Sequence, residues 1–165
     1  MLRRTILLLA IILAAGCRPR PATVEVSVFF TREEGNAIVL AEARRTVPGG
    51  DTSALVRAAL TEMLKGPTAE EQGKGLVSQI PSGTALRGVR ITGGVVRADF
   101  SNEVESGGGS ASMLGRMWQI VYTATQVPRA PRVQILIEGR QREAMGGEGV
   151  IIAEPMARPR TPPRF

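Results

Sequence analysis

The chain has 165 residues and a net charge of +6; it is 43% hydrophobic and 22% charged, with one Cys and no His. That balance describes a globular protein and excludes a disordered one. The missing His removes the usual base of Ser-His catalysis and a common zinc ligand, and a single Cys leaves no intrachain disulfide.

In chain order, Met1-Leu2-Arg3-Arg4 is a positive start, residues 6–15 are an unbroken apolar run, and Gly16-Cys17 follow. A charged, then apolar, then small-residue order is that of a secretory leader. Ten apolar residues span roughly 15 Å as a helix, about half of a ~30 Å hydrocarbon core, so a permanent transmembrane helix is not expected. The stretch resembles a bacterial lipoprotein signal, in which residues 1–16 are removed and the Cys17 thiol carries a diacylglycerol. Ala14 stands where such signals more often have Leu. The alternative is an ordinary secretory signal with an incidental Cys, but Cys17 has no second thiol to pair with. The expectation is an exported protein, lipid-anchored to the bacterial cell membrane, with its domain on the extracytoplasmic side. Losing Arg3 and Arg4 with the leader lowers the net charge by two, to +4. The remaining basic residues are spread along the chain, so no nucleic-acid partner is expected. Anionic lipid heads or acidic wall polymers would be attracted weakly and in a salt-sensitive way.

Residues 17–22 read as a linker, because Pro19 and Pro21 oppose helix and sheet. From Thr23 to Thr31 the apolar Val24, Val26, Val28 and Phe30 alternate with Glu25, Ser27, Phe29 and Thr31, which predicts a half-buried strand. A turn at residues 33–36 leads to a second strand over residues 37–47, broken by Pro48-Gly49-Gly50. Residues 53–65 form a predicted helix with an N-cap from residues 51–53 and a stop at Gly66-Pro67. Residues 68–75 have room for one helical turn. Residues 85–92 and 96–100 read as a hairpin closed by Gly93-Gly94. Residues 111–126 carry Met113, Met117, Ile120, Val121 and Ala124 at helical spacing, and Pro128 and Pro131 end the helix. Val133, Ile135 and Ile137 mark a last strand, and residues 150–152 close the domain. Residues 155–165 hold four prolines and three arginines and read as a disordered tail. The domain is therefore placed at residues 23–154. Its expected class is α+β: a mostly antiparallel sheet with two main helices on one face, in the order ββα-ββα-β. Val26, Phe30, Leu60, Phe100, Ile120 and Ile135 are expected to share one core.

Seven segments together resemble the GerMN domain of bacterial sporulation, spore-germination and other envelope lipoproteins. They are Leu64-Lys65-Gly66-Pro67-Thr68, Ile80-Pro81-Ser82-Gly83-Thr84, Val96-Arg97-Ala98-Asp99-Phe100-Ser101 and Ser106-Gly107-Gly108-Gly109-Ser110. Then follow Gln119-Ile120-Val121-Tyr122-Thr123-Ala124-Thr125-Gln126, residues 133–139 and Gly146-Gly147-Glu148-Gly149. The resemblance implies an α/β envelope domain without known catalysis, working in protein assembly or wall-associated interactions. The expected partners are thus the membrane, through the lipid anchor, and envelope or cell-wall proteins. No cofactor or metal is expected.

Two constellations compete as sites. The first is a ligand or partner surface made by the loop Ser106, Gly107, Gly108, Gly109 and Ser110 with the aromatic residues Trp118 and Tyr122. A glycine-rich turn into a helix N-terminus can present backbone N–H groups to an anion. It lacks the Gly-Lys-Ser/Thr of a nucleotide loop, and Glu103 and Glu105 lie just upstream. The plainer alternative is a tight turn with Ser110 as helix cap, and aromatics that seal the helix against the sheet. Residues 108–112 resemble a nucleophile elbow, but Ser112 stands where its second Gly should be. The second constellation, Asp99, Glu103 and Glu105, would suit a carboxylate-dependent hydrolase of cell-wall glycan; a solvated acidic face is its alternative.

Overall fold

The strands and helices follow from the local patterns, and their arrangement from what those patterns must bury. The computed structural model describes residues 22–146 and 149–165. The leader, the lipidation candidate Cys17 and Gly147-Glu148 of the closing loop lie outside the described residues. β1 (Thr23–Glu34) and β2 (Ala37–Pro48) form a long antiparallel hairpin. α1 (Thr52–Leu64) follows, with the Asp51 carboxylate accepting the Ala54 N–H at 2.8 Å as its cap. α2 (Ala69–Gly73) is the predicted single turn, fixed by a capping box between Thr68 and Glu71. β3 (Leu86–Thr92) and β4 (Val95–Phe100) are joined by Gly93-Gly94 at φ +59° and +73°, the two left-handed positions of a tight hairpin turn.

A short 3-10 turn (Asn102–Glu105) leads to α3 (Ser110–Ala124), and β5 (Arg132–Ile137) runs parallel to β4. A parallel pair needs a crossover, and α3 is that crossover. β6 (Arg140–Gln141) and β9 (Met156–Ala157) pair with β5, while β7 (Ala144–Met145) and β8 (Val150–Ile151) form a small hairpin of their own. The class is α+β as expected. Antiparallel pairing predominates, also as expected, but the strands divide: the β1–β2 hairpin stands apart from the sheet β3-β4-β5-β6, whose central pair is parallel.

Both main helices touch both sheets: α1 packs on β1, β2 and β3, and α3 on β1, β2 and β5. Phe30, Leu60, Phe100, Ile120 and Ile135 are fully buried together. Val26 is also buried but belongs to a smaller cluster with Val47 and Ala59. The buried apolar residues run from Val26 to Ile152, so the chain after the leader carries its own core.

β1 is buried more deeply than its alternation predicts, because α3 lies along its outer edge. Gln126 accepts the Ser27 N–H and donates to the Ser27 carbonyl, both at 2.8 Å. The Thr123 hydroxyl accepts the Phe29 N–H at 3.1 Å, and the Gln119 amide donates to the Phe29 carbonyl at 3.1 Å. Thr31 exchanges both backbone hydrogen bonds with Val77. Gln119 and Thr123 are completely buried, and each is paired.

The tail is also corrected. Beyond Pro155, β9 adds to the edge of β5, Phe165 exchanges two backbone hydrogen bonds with Ile38, and Arg164 pairs with Glu34 at 3.0 Å. Composition suggested disorder because the segment has little to bury. It is held instead by pairing with strand edges, which its prolines leave available at Met156 and Phe165.

Glu71 shows how charge is used in this fold. Both its oxygens accept from Arg45, at 2.6 and 2.7 Å, on a largely buried site. Those hydrogen bonds, with those from Thr68 against a partial burial penalty, hold its pKa at about 2, down from 4.5. A depressed carboxylate stabilises the fold fully above its unfolded pKa, and that stabilisation fades as pH falls from about 4.5 toward 2. Glu71→Gln should therefore cost about 1–3 kcal/mol at pH 7 and lose its effect near pH 2. Urea unfolding at the two pH values checks this; an equal loss at both contradicts it.

Candidate functional site

The glycine loop folds back onto its own helix. Gly107 and Gly108 take φ +60° and +82°, and Gly109, not the expected Ser110, is the N-cap residue of α3, with no side-chain cap bond. Ser110 is the first residue inside the helix. The loop is exposed, but the Gly107 carbonyl turns inward to Arg116, a residue 3% exposed on the buried side of α3. The Arg116 guanidinium donates to the carbonyls of Gly107 (2.6 Å), Gln79 (2.8 Å) and Val104 (3.0 Å), and to the Ser112 hydroxyl at 3.3 Å. Burial lowers its pKa from the ordinary arginine value. A Cβ at Gly108 would lie 2.7 Å from both the Arg116 guanidinium and the Ser112 hydroxyl. The glycines thus serve the turn and the close approach of Arg116. Arg116 stands three residues after Met113 and four before Ile120, in register with the apolar stripe. That spacing was the signal of its burial.

Trp118 and Tyr122 do not join the loop. They lie two and three turns along α3, edge to face with ring centroids 6.3 Å apart. Tyr122 is buried, against the expectation of an exposed aromatic pair, and packs edge-on to Phe29 of β1 at 5.2 Å. Trp118 is partly buried against the same core. From the tail, the Arg158 guanidinium stacks on both Phe29 (5.1 Å) and Tyr122 (5.0 Å) and donates to the Tyr122 carbonyl. The Pro/Arg composition that suggested disorder hid this contact.

The three carboxylates also part company. Asp99 accepts the Gly139 N–H at 2.7 Å and faces Arg87 at 3.3 Å. Glu105 accepts the Gly146 N–H at 3.0 Å. Glu103 is exposed, and a hydrogen bond from Ser101 lowers its pKa. Asp99 lines a hollow with Arg87, Arg90 and Arg97, to which neither Glu103 nor Glu105 contributes. Two of the acids therefore hold loops. Among the described residues, no three His, Cys, Asp or Glu side chains converge.

A hairpin fastened to a helix beside a small mixed sheet makes an α+β module. The chain belongs to the Germane family, described as sporulation and spore germination, whose model matches residues 27–143. Among solved structures it is similar to the first GerMN domain of the sporulation protein GerM from Bacillus subtilis. That likeness has 24% identity and a TM-score of 0.63, and covers 82% of this chain and 98% of that one. The tandem GerMN domains of the same protein match at 23% identity and TM-score 0.66 over 84% of this chain. This chain spans 46% of that tandem's length. A protein from Clostridium perfringens, provisionally described as a lipoprotein, matches at 18% identity and TM-score 0.58, covering 82% and 87% of the two chains. At these identities the likenesses show the fold. A comparison with curated proteins found none that matches.

Proposed function

We propose that this chain is a lipid-anchored envelope protein whose GerMN domain works without catalysis, as a binding and assembly module in sporulation, germination or a cell-wall-associated process. The family match over residues 27–143 carries this reading. The leader ending at Cys17 supports the anchor, and the provisional description of the Clostridium perfringens protein as a lipoprotein fits it. The rigid fastening of α3 to β1 suits a module that presents a fixed surface to other envelope proteins. A thioether diacylglycerol with an amide-linked chain supplies the two hydrophobic signals that stable anchoring needs. Cys17→Ser should move the chain into the soluble exported fraction or stall its processing. Retention of a fully processed variant in the membrane overturns the anchor. Release of soluble fragments from wall glycan by the purified protein overturns the non-catalytic reading, and recovery of specific partners from crosslinked envelopes supports assembly.

A further inference from the structure

Four arginines cluster where the sheet turns its outer face to solvent. Arg90 of β3 and Arg97 of β4 are exposed and directly opposite one another. Arg132 opens β5 opposite Val95, which places it on the same face, one strand over and two residues along from Arg97. Arg129, in the turn before β5, lines a hollow of about 640 Å³ with Arg90 beside the start of α1. A second hollow of about 390 Å³ includes Arg90 and Arg97. None of the four side chains makes a hydrogen bond or ion pair with a described residue.

The acids nearby are already engaged. Asp51, in the first hollow, caps α1; Asp99, in the second, is held by Gly139 and Arg87. Like charges directly opposite on neighbouring strands destabilise a sheet. In each hollow the arginines outnumber the one carboxylate, an excess that calls for an external anion, and guanidinium forks match phosphate geometry.

The chain's own course says which anion. Ala22 accepts the Gly49 N–H at 2.7 Å, and Gly49 is two residues from Asp51 in the wall of the first hollow. Cys17 lies five chain steps before Ala22, which reach at most about 18 Å. An anchor at Cys17 keeps this end of the domain beside the bilayer.

We infer that Arg90, Arg97, Arg129 and Arg132 form a docking face for anionic phospholipid headgroups that orients the tethered domain on the membrane, an inference that rests on the anchored reading above. The test uses residues 18–165, which hold the complete core, in co-sedimentation with phosphatidylglycerol/phosphatidylcholine vesicles and with pure phosphatidylcholine vesicles. Binding is expected to the anionic vesicles only, and to fall steeply with salt. Arg90→Gln and Arg97→Gln should each weaken it about 5-fold, and the pair about 25-fold, with melting temperature unchanged or raised. Arg160→Gln, in the tail, should change it little. Equal loss with Arg160→Gln, no preference for anionic vesicles, or binding to soluble poly(glycerol phosphate) without vesicle binding overturns the inference. Because this chain lacks Cys17, its failure is separate from that of the Cys17→Ser experiment.

Discussion

Arg116→Ala should destabilise the domain by about 3–5 kcal/mol, among the largest losses available from a single polar side chain here. Three carbonyls, from Gly107, Gln79 and Val104, lose a charged donor at once, and the bond to Val104 is fully buried. Each hydrogen bond to a charged group contributes about 1.5–3 kcal/mol, offset in part by the desolvation that the guanidinium itself no longer suffers. Arg116→Lys should recover little, because an ammonium cannot aim donors at three carbonyls and a hydroxyl in one plane. Chemical denaturation of the three proteins decides the matter. A loss below about 1 kcal/mol for the alanine variant, against the 1–3 kcal/mol expected for a single unsatisfied buried acceptor, would mean that water replaces the guanidinium. The loop would then owe its shape to its glycines alone.

Ending the chain at Pro155 should also be costly, by about 2–4 kcal/mol, although the tail's composition argues for almost none. The deletion removes β9 from the edge of β5, the Phe165–Ile38 pairing and the Arg164–Glu34 ion pair. It also removes Arg158 from above Phe29 and Tyr122. A cation over an aromatic ring contributes about 0.5–2 kcal/mol, more where it is shielded from water, while the exposed ion pair adds at most about 1 kcal/mol. Arg158→Ala alone should account for about 1–2 kcal/mol of the loss. Thermal melts of full-length, Arg158→Ala and truncated chains measure the division. An unchanged melting temperature on truncation would restore the disordered tail.

What could be read from the sequence was local. Alternation at Val24–Phe30, the Gly93-Gly94 turn, the two helical stripes and the Thr68–Glu71 turn are each decided within a few residues, and each formed where expected. The parallel β4–β5 pairing, the separate hairpin and the tail's contacts depend on which distant elements meet, and periodicity does not carry that. Tyr122 illustrates the limit. Its spacing from Trp118 shows two aromatics on one helix face, but only the position of β1 decides whether that face is open. Arg116 is the opposite case: its spacing did point inward, and charge argued against it. The arginines of the outer face were visible one by one, and only the register of β3, β4 and β5 makes them neighbours.

The seam between α3 and β1 carries a consequence for how this protein avoids itself. A hairpin standing apart from the main sheet offers two open edges to any passing chain, the usual opening for runaway strand addition. On β1, the outward N–H and C=O groups of Ser27 and Thr31 and both those of Phe29 are already taken by Gln126, Val77, Thr123 and Gln119. Between Ser27 and Thr31, β1 is an edge strand by topology and an interior strand by hydrogen bonding. Helix α3 and the residues Val77 and Gln126 outside it thus perform the office of a neighbouring strand along this stretch. Crowded copies meet that side of the hairpin as a finished surface.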